Sequence, residues 1–186
     1  MGLAKLKTKL SIEDYLEGEE ISEIRHEYID GEVYAMAGAS QNHNRIIRNF
    51  VIALSNHLGN SPCEPFSENM KVRAAEEVFY YPDVLVTCEG NFANPYFAEQ
   101  PILIIEVVSP STAQIDRREK LRAYQQMPSV HEYVIIEQEK ISIEIHRRQE
   151  NGGWITYFFT RTDEDFTLQS VDLTLRIDEV YRRVNF

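Results

Sequence analysis

The sequence has only two cysteines, Cys63 and Cys88, in 186 residues. Two thiols well apart in the chain do not make a disulfide framework, so they read as free thiols in a reducing compartment. No His/Cys spacing of the zinc kind is present, which excludes a structural zinc. Long apolar runs are also missing. The longest, 102–108, is interrupted by Glu106 and falls far short of the ~20 residues that cross a bilayer. Residues 1–10 carry lysines but no continuous apolar stretch, so no signal peptide is expected. These absences predict a cytoplasmic protein without a membrane segment. Positive charge is scarce too, with 19 Lys and Arg against 30 Asp and Glu and a net charge of −11. That argues against a general polyanion binder, because phosphate backbones recruit Lys and Arg. Repeats and low-complexity linkers are absent. The length suits one core, so a single domain over residues 1–186 is expected.

What is present is an ordinary globular mixture, 43% hydrophobic and 26% charged, which leaves disorder to the termini. The charges are uneven. Acids gather at Glu13, Asp14, Glu17, Glu19, Glu20 and Glu23, and again at Asp163, Glu164 and Asp165. Arg117, Arg118, Lys120 and Arg122 form a basic segment in the middle. A local basic surface on an acidic protein is compatible with that distribution.

The pattern predicts helix, hairpin, helix, strands, helix, strands. Ser11 followed by Asp14 is a capping-box signal for a short helix over 11–19. Asp30-Gly31 between β-rich arms marks a hairpin. Apolar residues at Ile46, Ile47, Phe50, Val51, Leu54 and Leu58 have helical spacing over 42–58, closed by Gly59. Pro62 and Pro65 mark a loop, and strands are expected at 68–73 and 79–87. Residues 89–99 read as a loop, and 101–108 as a buried central strand. A helix over 116–127 follows, ended by Pro128, then strands at 132–137, 141–146 and 154–160, and a short element at 177–183. The fold class is mixed α/β: a central mixed sheet flanked by helices.

Two acids stand out. Asp83 opens a strand directly after Pro82. Glu106 lies within Ile104-Ile105-Glu106-Val107-Val108, where an unpaired buried carboxylate is very costly. A cation partner or a metal is the usual remedy. Two carboxylates from adjacent strands suit a hard divalent ion such as Mg²⁺ or Mn²⁺, with the Val107 carbonyl completing the shell. Such an ion polarises a phosphoryl oxygen and activates water.

Pro82-Asp83, then Glu106-x-Val108, resembles the PD-(D/E)xK nuclease motif, with Val108 standing where that motif has lysine. The wider pattern is Glu27-Tyr-Ile-Asp-Gly-Glu-Val, His43, Glu106-Val-Val-Ser-Pro-Ser-Thr, Asp116, Lys120, Tyr124 and Val130-His-Glu-Tyr133. It is similar to the Uma-two family of restriction-endonuclease-like proteins, over roughly residues 12–145. The resemblance implies a restriction-endonuclease-like fold and Mg²⁺-dependent hydrolysis of DNA phosphodiesters. It implies Asp83 and Glu106 as metal ligands, and Lys120 as a catalytic lysine that has moved to the helix. Glu27 would be a third acid, and His43, Tyr124 and Arg117 would be substrate contacts. Nucleases of this kind often act on duplexes as homodimers.

Plainer readings stand beside these. Pro-Asp forms turns, and a buried ion pair with an arginine is the plainer but weaker reading of Glu106. Lys71 is a rival to Lys120. Glu27 reads equally as an exposed hairpin residue and His43 as part of a helix cap. Tyr124 suits packing with a hydroxyl contact, and Asp116 suits a helix N-terminus. Two other functions also fit: a non-cleaving member that binds nucleic acid or protein, and an interaction protein contacting partners through its acidic N-terminal helix.

Overall fold

The computed structural model describes residues 9–36, 38–67, 69–90, 92–109 and 115–186. Ser11 caps α1 (Ile12–Ile21) by accepting the Asp14 N–H, which satisfies one open donor of the first turn. The expected hairpin joins β1 (His26–Ile29) to β2 (Glu32–Ala35). Asp30 and Gly31 both take positive φ, 49° and 86°, the conformation that Asp-Gly tolerates in a two-residue turn. Helix α2 (Gln41–Leu58) starts after Ser40, whose hydroxyl accepts the His43 N–H. Its stripe of Ile46, Ile47, Phe50 and Leu54 is buried.

Two sheets carry the fold. One has the order β2-β1-β5-β4-β7, with β4 (Lys71–Ala75), β5 (Val78–Tyr80) and β7 (Phe97–Ala98). The other has the order β11-β10-β9-β8-β6-β3. It is built from β3 (Glu64–Ser67), β6 (Val84–Thr87), β8 (Pro101–Val108), β9 (Glu132–Glu137), β10 (Ile143–Arg148) and β11 (Trp154–Phe159). Strands β8 and β9 are parallel and the other pairs antiparallel, so this sheet is mixed. A parallel pair needs a crossover. Here it contains a wide π-type turn, Asp116–Lys120, running into α3 (Leu121–Gln126). A hairpin of β12 (Asp165–Leu168) and β13 (Leu173–Arg176) leads to α4 (Ile177–Val180).

Alternation along β8 divides the interior. Leu103, Ile105 and Val107 join the core under α2 and the C-terminal hairpin. Ile104 and Val108 join the core that holds Tyr80, Tyr124 and Tyr133. Glu106 falls on the second face by the same alternation.

Several expectations are corrected. The strand expected at 79–87 is two strands in different sheets, β5 and β6, separated by Tyr81-Pro82-Asp83. The stretch around Pro65 is the edge strand β3, where a missing N–H is tolerated. Of the strand expected at 68–73, Glu68 lies outside the described residues, as do Pro110, Ser111 and Thr112 of the family pattern and most of residues 1–10. The cysteines are not free thiols: Cys63 and Cys88 form a disulfide. The cause is register, since β3 and β6 pair Glu64 with Thr87 and so bring the flanking cysteines together. The hairpin β12–β13 and the short strand β7 were not foreseen.

Candidate functional site

The site lies where the chain passes from one sheet to the other. Pro82 has no N–H to extend a ladder, and β6 begins only at Val84, opposite Ile105. Asp83 therefore stands beside Glu106 where the ladder would have continued. Its Oδ2 instead accepts the Val107 N–H at 2.6 Å. In a strand a residue's N–H and C=O face the same neighbour, so the Val107 carbonyl is directed toward the Asp83 side as well. His43, in the first turn of α2, brings Nε2 to 3.2 Å from Asp83 Oδ2.

Lys120 occupies the middle of the acids. Its Nζ is 2.8 Å from Glu27 Oε1, 3.1 Å from Glu106 Oε1 and 3.4 Å from Asp116 Oδ1. Three elements converge to make this contact: β1 supplies Glu27, β8 supplies Glu106, and the π-type turn supplies both Asp116 and Lys120. Glu27 is held by the Tyr81 N–H, and the ammonium lies 5.5 Å above the Tyr80 ring. Glu106, Asp116 and Lys120 are buried, while Asp83 and Glu27 are partly open.

The charges set the protonation pattern. Burial drives the Glu106 pKa well above the ordinary carboxyl value; Lys120 opposes that, and Asp116, Asp83 and Glu27 reinforce it. Burial also works against the charge of Lys120, but Glu106, Glu27, Tyr124 and Asp116 outweigh it and hold the amine well above an ordinary lysine. Lys120 is thus the fixed positive charge, while Glu106 holds its proton more readily than an ordinary carboxyl. Tyr124 is fully buried with its ring against Tyr80 and Tyr133. Its hydroxyl has no hydrogen-bond partner among the described residues, and its pKa is raised by burial and by Glu106.

Asp83, Glu106, Lys120 and Glu27 are therefore gathered, with His43 at the rim, Tyr124 beneath and Val107 alongside. Arg117 is engaged elsewhere. It binds Glu137 at 2.7 Å and Glu144 at 3.1 Å, and His146 lies 2.9 Å from Glu144. Lys71 sits between the rings of Tyr15 and Tyr81, at 5.8 and 5.5 Å. Asp116 is more than a helix-terminal acid, because it shares Lys120; the i,i+4 spacing was the available signal. Glu137, Glu144 and His146 went unnoticed, because the β9–β10 register that unites them leaves no local trace. Among the described residues no three His, Cys, Asp or Glu side chains form a ready-made metal cage.

Comparison with known proteins gives a consistent picture. The model of the family Uma2, described as "Putative restriction endonuclease", matches residues 12–178. Two uncharacterized Synechocystis proteins are each 34% identical to this chain. One alignment covers 96% of this chain and 94% of the relative, the other 78% and 85%. The fold is similar to the crystal structure of a "putative nuclease belonging to DUF820" from Anabaena variabilis. The TM-score is 0.69 at 19% identity, covering 86% of this chain and 91% of that one.

Proposed function

Because this chain belongs to the Uma2 family, we propose that it is a metal-dependent nuclease that hydrolyses phosphodiester bonds of DNA. The observation that carries this reading is the 3.1 Å contact between Lys120 Nζ and Glu106. A lysine from the helix reaches the acid whose own strand offers only Val108. The donor chemistry fits Mg²⁺ or Mn²⁺: Asp83, Glu106 and the Val107 carbonyl are hard oxygens set side by side, in a cluster with more acid than cation. Mg²⁺ commonly takes one or two carboxylates and keeps several waters, so a pair of carboxylates is enough to hold it. When bound, the ion supplies Lewis-acid polarisation of a phosphoryl oxygen.

The chain's own groups do the rest. Lys120, steadied by Glu27 and Asp116, stabilises charge that develops on the phosphate. Glu27 acts as a third acid through the lysine it holds. His43 fixes Asp83 and meets a phosphate oxygen at the rim. The free hydroxyl of Tyr124 orients a water beside Glu106. Arg117, in the same turn as Lys120, serves as an outer phosphate contact once released from Glu137 and Glu144. The test is incubation of the purified protein with plasmid, single-stranded DNA and RNA, with Mg²⁺ or Mn²⁺ and with chelator. Asp83→Ala and Glu106→Ala are expected to abolish metal-dependent cleavage with an unchanged circular dichroism spectrum. Cleavage retained by either variant overturns the assignment.

A non-cleaving, nucleic-acid-binding protein is the second reading. It is favoured by the three acids that already engage Lys120. DNA binding without calorimetric uptake of Mg²⁺ or Mn²⁺ would select it.

A further inference from the structure

The hairpin that supplies Glu27 also brings an open aromatic ring to the site. Where β1 pairs with β2, Tyr34 stands directly opposite Glu27. Directly opposed residues of an antiparallel pair share a face, with Cα atoms about 4.5–5.5 Å apart. Tyr34 is thus set on the face from which Glu27 reaches Lys120 at 2.8 Å. Tyr80 and Tyr124 beneath the cluster are buried, but Tyr34 is 48% exposed. It lies on the edge strand β2, all four of whose residues are exposed. Its hydroxyl donates to Glu32 Oε2 at 2.9 Å, which ties the end of the ring to its own strand. That hydrogen bond and the Glu32 charge raise the Tyr34 pKa, and Glu119 adds to the effect. Glu119 belongs to the π-type turn that carries Lys120, so the ring is within electrostatic reach of that turn. The same acid accepts the hydroxyl of Tyr80, whose ring lies under the Lys120 ammonium.

We propose that Tyr34 stacks on a nucleobase beside the phosphate held at Lys120, so that the DNA strand taken by this site is a single, unpaired one. The proposal rests on the nuclease reading and narrows its substrate. Every base has a π-face on which an aromatic side chain stacks. In an intact duplex the neighbouring base pairs cover that face, so a base must leave the stack before a side chain can use it. A ring offered next to the site therefore favours a strand whose bases are already free. Charge selects the base rather than the backbone. Glu32 and Glu119 around the ring repel a phosphate, whereas the face of a base is neutral. Depth points the same way: Glu106 and Lys120 are only 5% and 7% exposed. A duplex is stiff over about 150 base pairs, while a single strand bends to carry one phosphate inward.

The test is fluorescence anisotropy with a short labelled oligothymidylate, in Mg²⁺ and in chelator. Tyr34→Ala is expected to bind about 5- to 150-fold more weakly than the native chain, the range that one base–aromatic stack contributes. Tyr34→Phe keeps the ring and should bind as the native chain does. On an abasic strand of the same length, and on a duplex, Tyr34→Ala should make no difference. Because the side chain is exposed, circular dichroism should be unchanged. An affinity for the single strand that ignores Tyr34→Ala overturns the proposal. So does an equal loss on the abasic strand or the duplex, or a loss that Tyr34→Phe fails to restore. A native chain that binds no strand overturns this proposal and the nuclease reading together. The two otherwise fail separately: cleavage by Tyr34→Ala with the native KM removes only Tyr34, and Tyr34-dependent binding without cleavage removes only the nuclease.

Discussion

Lys120 faces more negative charge than it balances. Removing one partner of a buried pair typically costs about 3–5 kcal/mol, because the other charge is left uncompensated. Lys120→Met is therefore expected to lower stability by about that amount in urea unfolding at neutral pH. Adding Glu106→Gln should recover part of the loss, since it removes one stranded acid; a double variant no more stable than the single would contradict the coupling. Glu144 gives a pH test away from the cluster. The 2.9 Å approach of His146 Nε2 and the hydrogen bond from Arg117 hold its pKa below the ordinary value of 4.5, against the opposing effect of burial. A depressed folded pKa contributes stability above the unfolded value, and that stability is lost as pH falls through the folded one. The stability gap between the native protein and Glu144→Gln should thus be full above pH 4.5 and close on further acidification. A gap that widens in acid would refute the assignment.

At the scale of elements, the bond between Cys63 and Cys88 ties the ends of β3 and β6 across a sequence separation of 25. Loop closure of that size predicts about 3.5 kcal/mol, so unfolding with and without reductant should differ by roughly this much, and equal midpoints would argue against a closed bond. This link illustrates where sequence reading ran out. Local patterns fix local outcomes: Asp30-Gly31 gave its hairpin, Ser11 its cap, and the stripe from Ile46 to Leu54 its helix. Glu106 was legible because an acid in an apolar strand is itself unusual; Asp83 stood out only through the family motif, since Pro-Asp alone also forms turns. Pairings set by long-range register were not. Nothing near Cys63 announces Cys88, and nothing near Arg117 announces Glu144. The unbroken β-rich run around Tyr80 conceals a change of sheet, for which Pro82 was the only sign.

At the scale of the molecule, the proposed nuclease function has to work against the acidity of the chain. Arg73, Arg117 and Arg147 are each bound to an acid of this chain, whereas Arg118 and Arg122 are exposed beside the site. Each phosphate contact contributes about 0.9 to the slope of log affinity against log salt. Arg118→Ala and Arg122→Ala should each lower that slope by about 1 and weaken all sequences alike. An unchanged slope in fluorescence anisotropy titrations would remove these arginines from the contact surface.

The passage of the chain between sheets also has a consequence in time. Glu27, Asp83, Glu106 and Lys120 come from widely separated stretches, and synthesis proceeds at about 5–20 residues per second. A nascent chain exposes Glu27 seconds before Lys120 leaves the ribosome, and the packing that buries Lys120 awaits β9. Asp116 and Lys120 share one turn, but Glu27 comes from the five-stranded sheet and Glu106 from the six-stranded one, so the cluster is complete only when the two sheets close, and whatever it does begins with the finished fold.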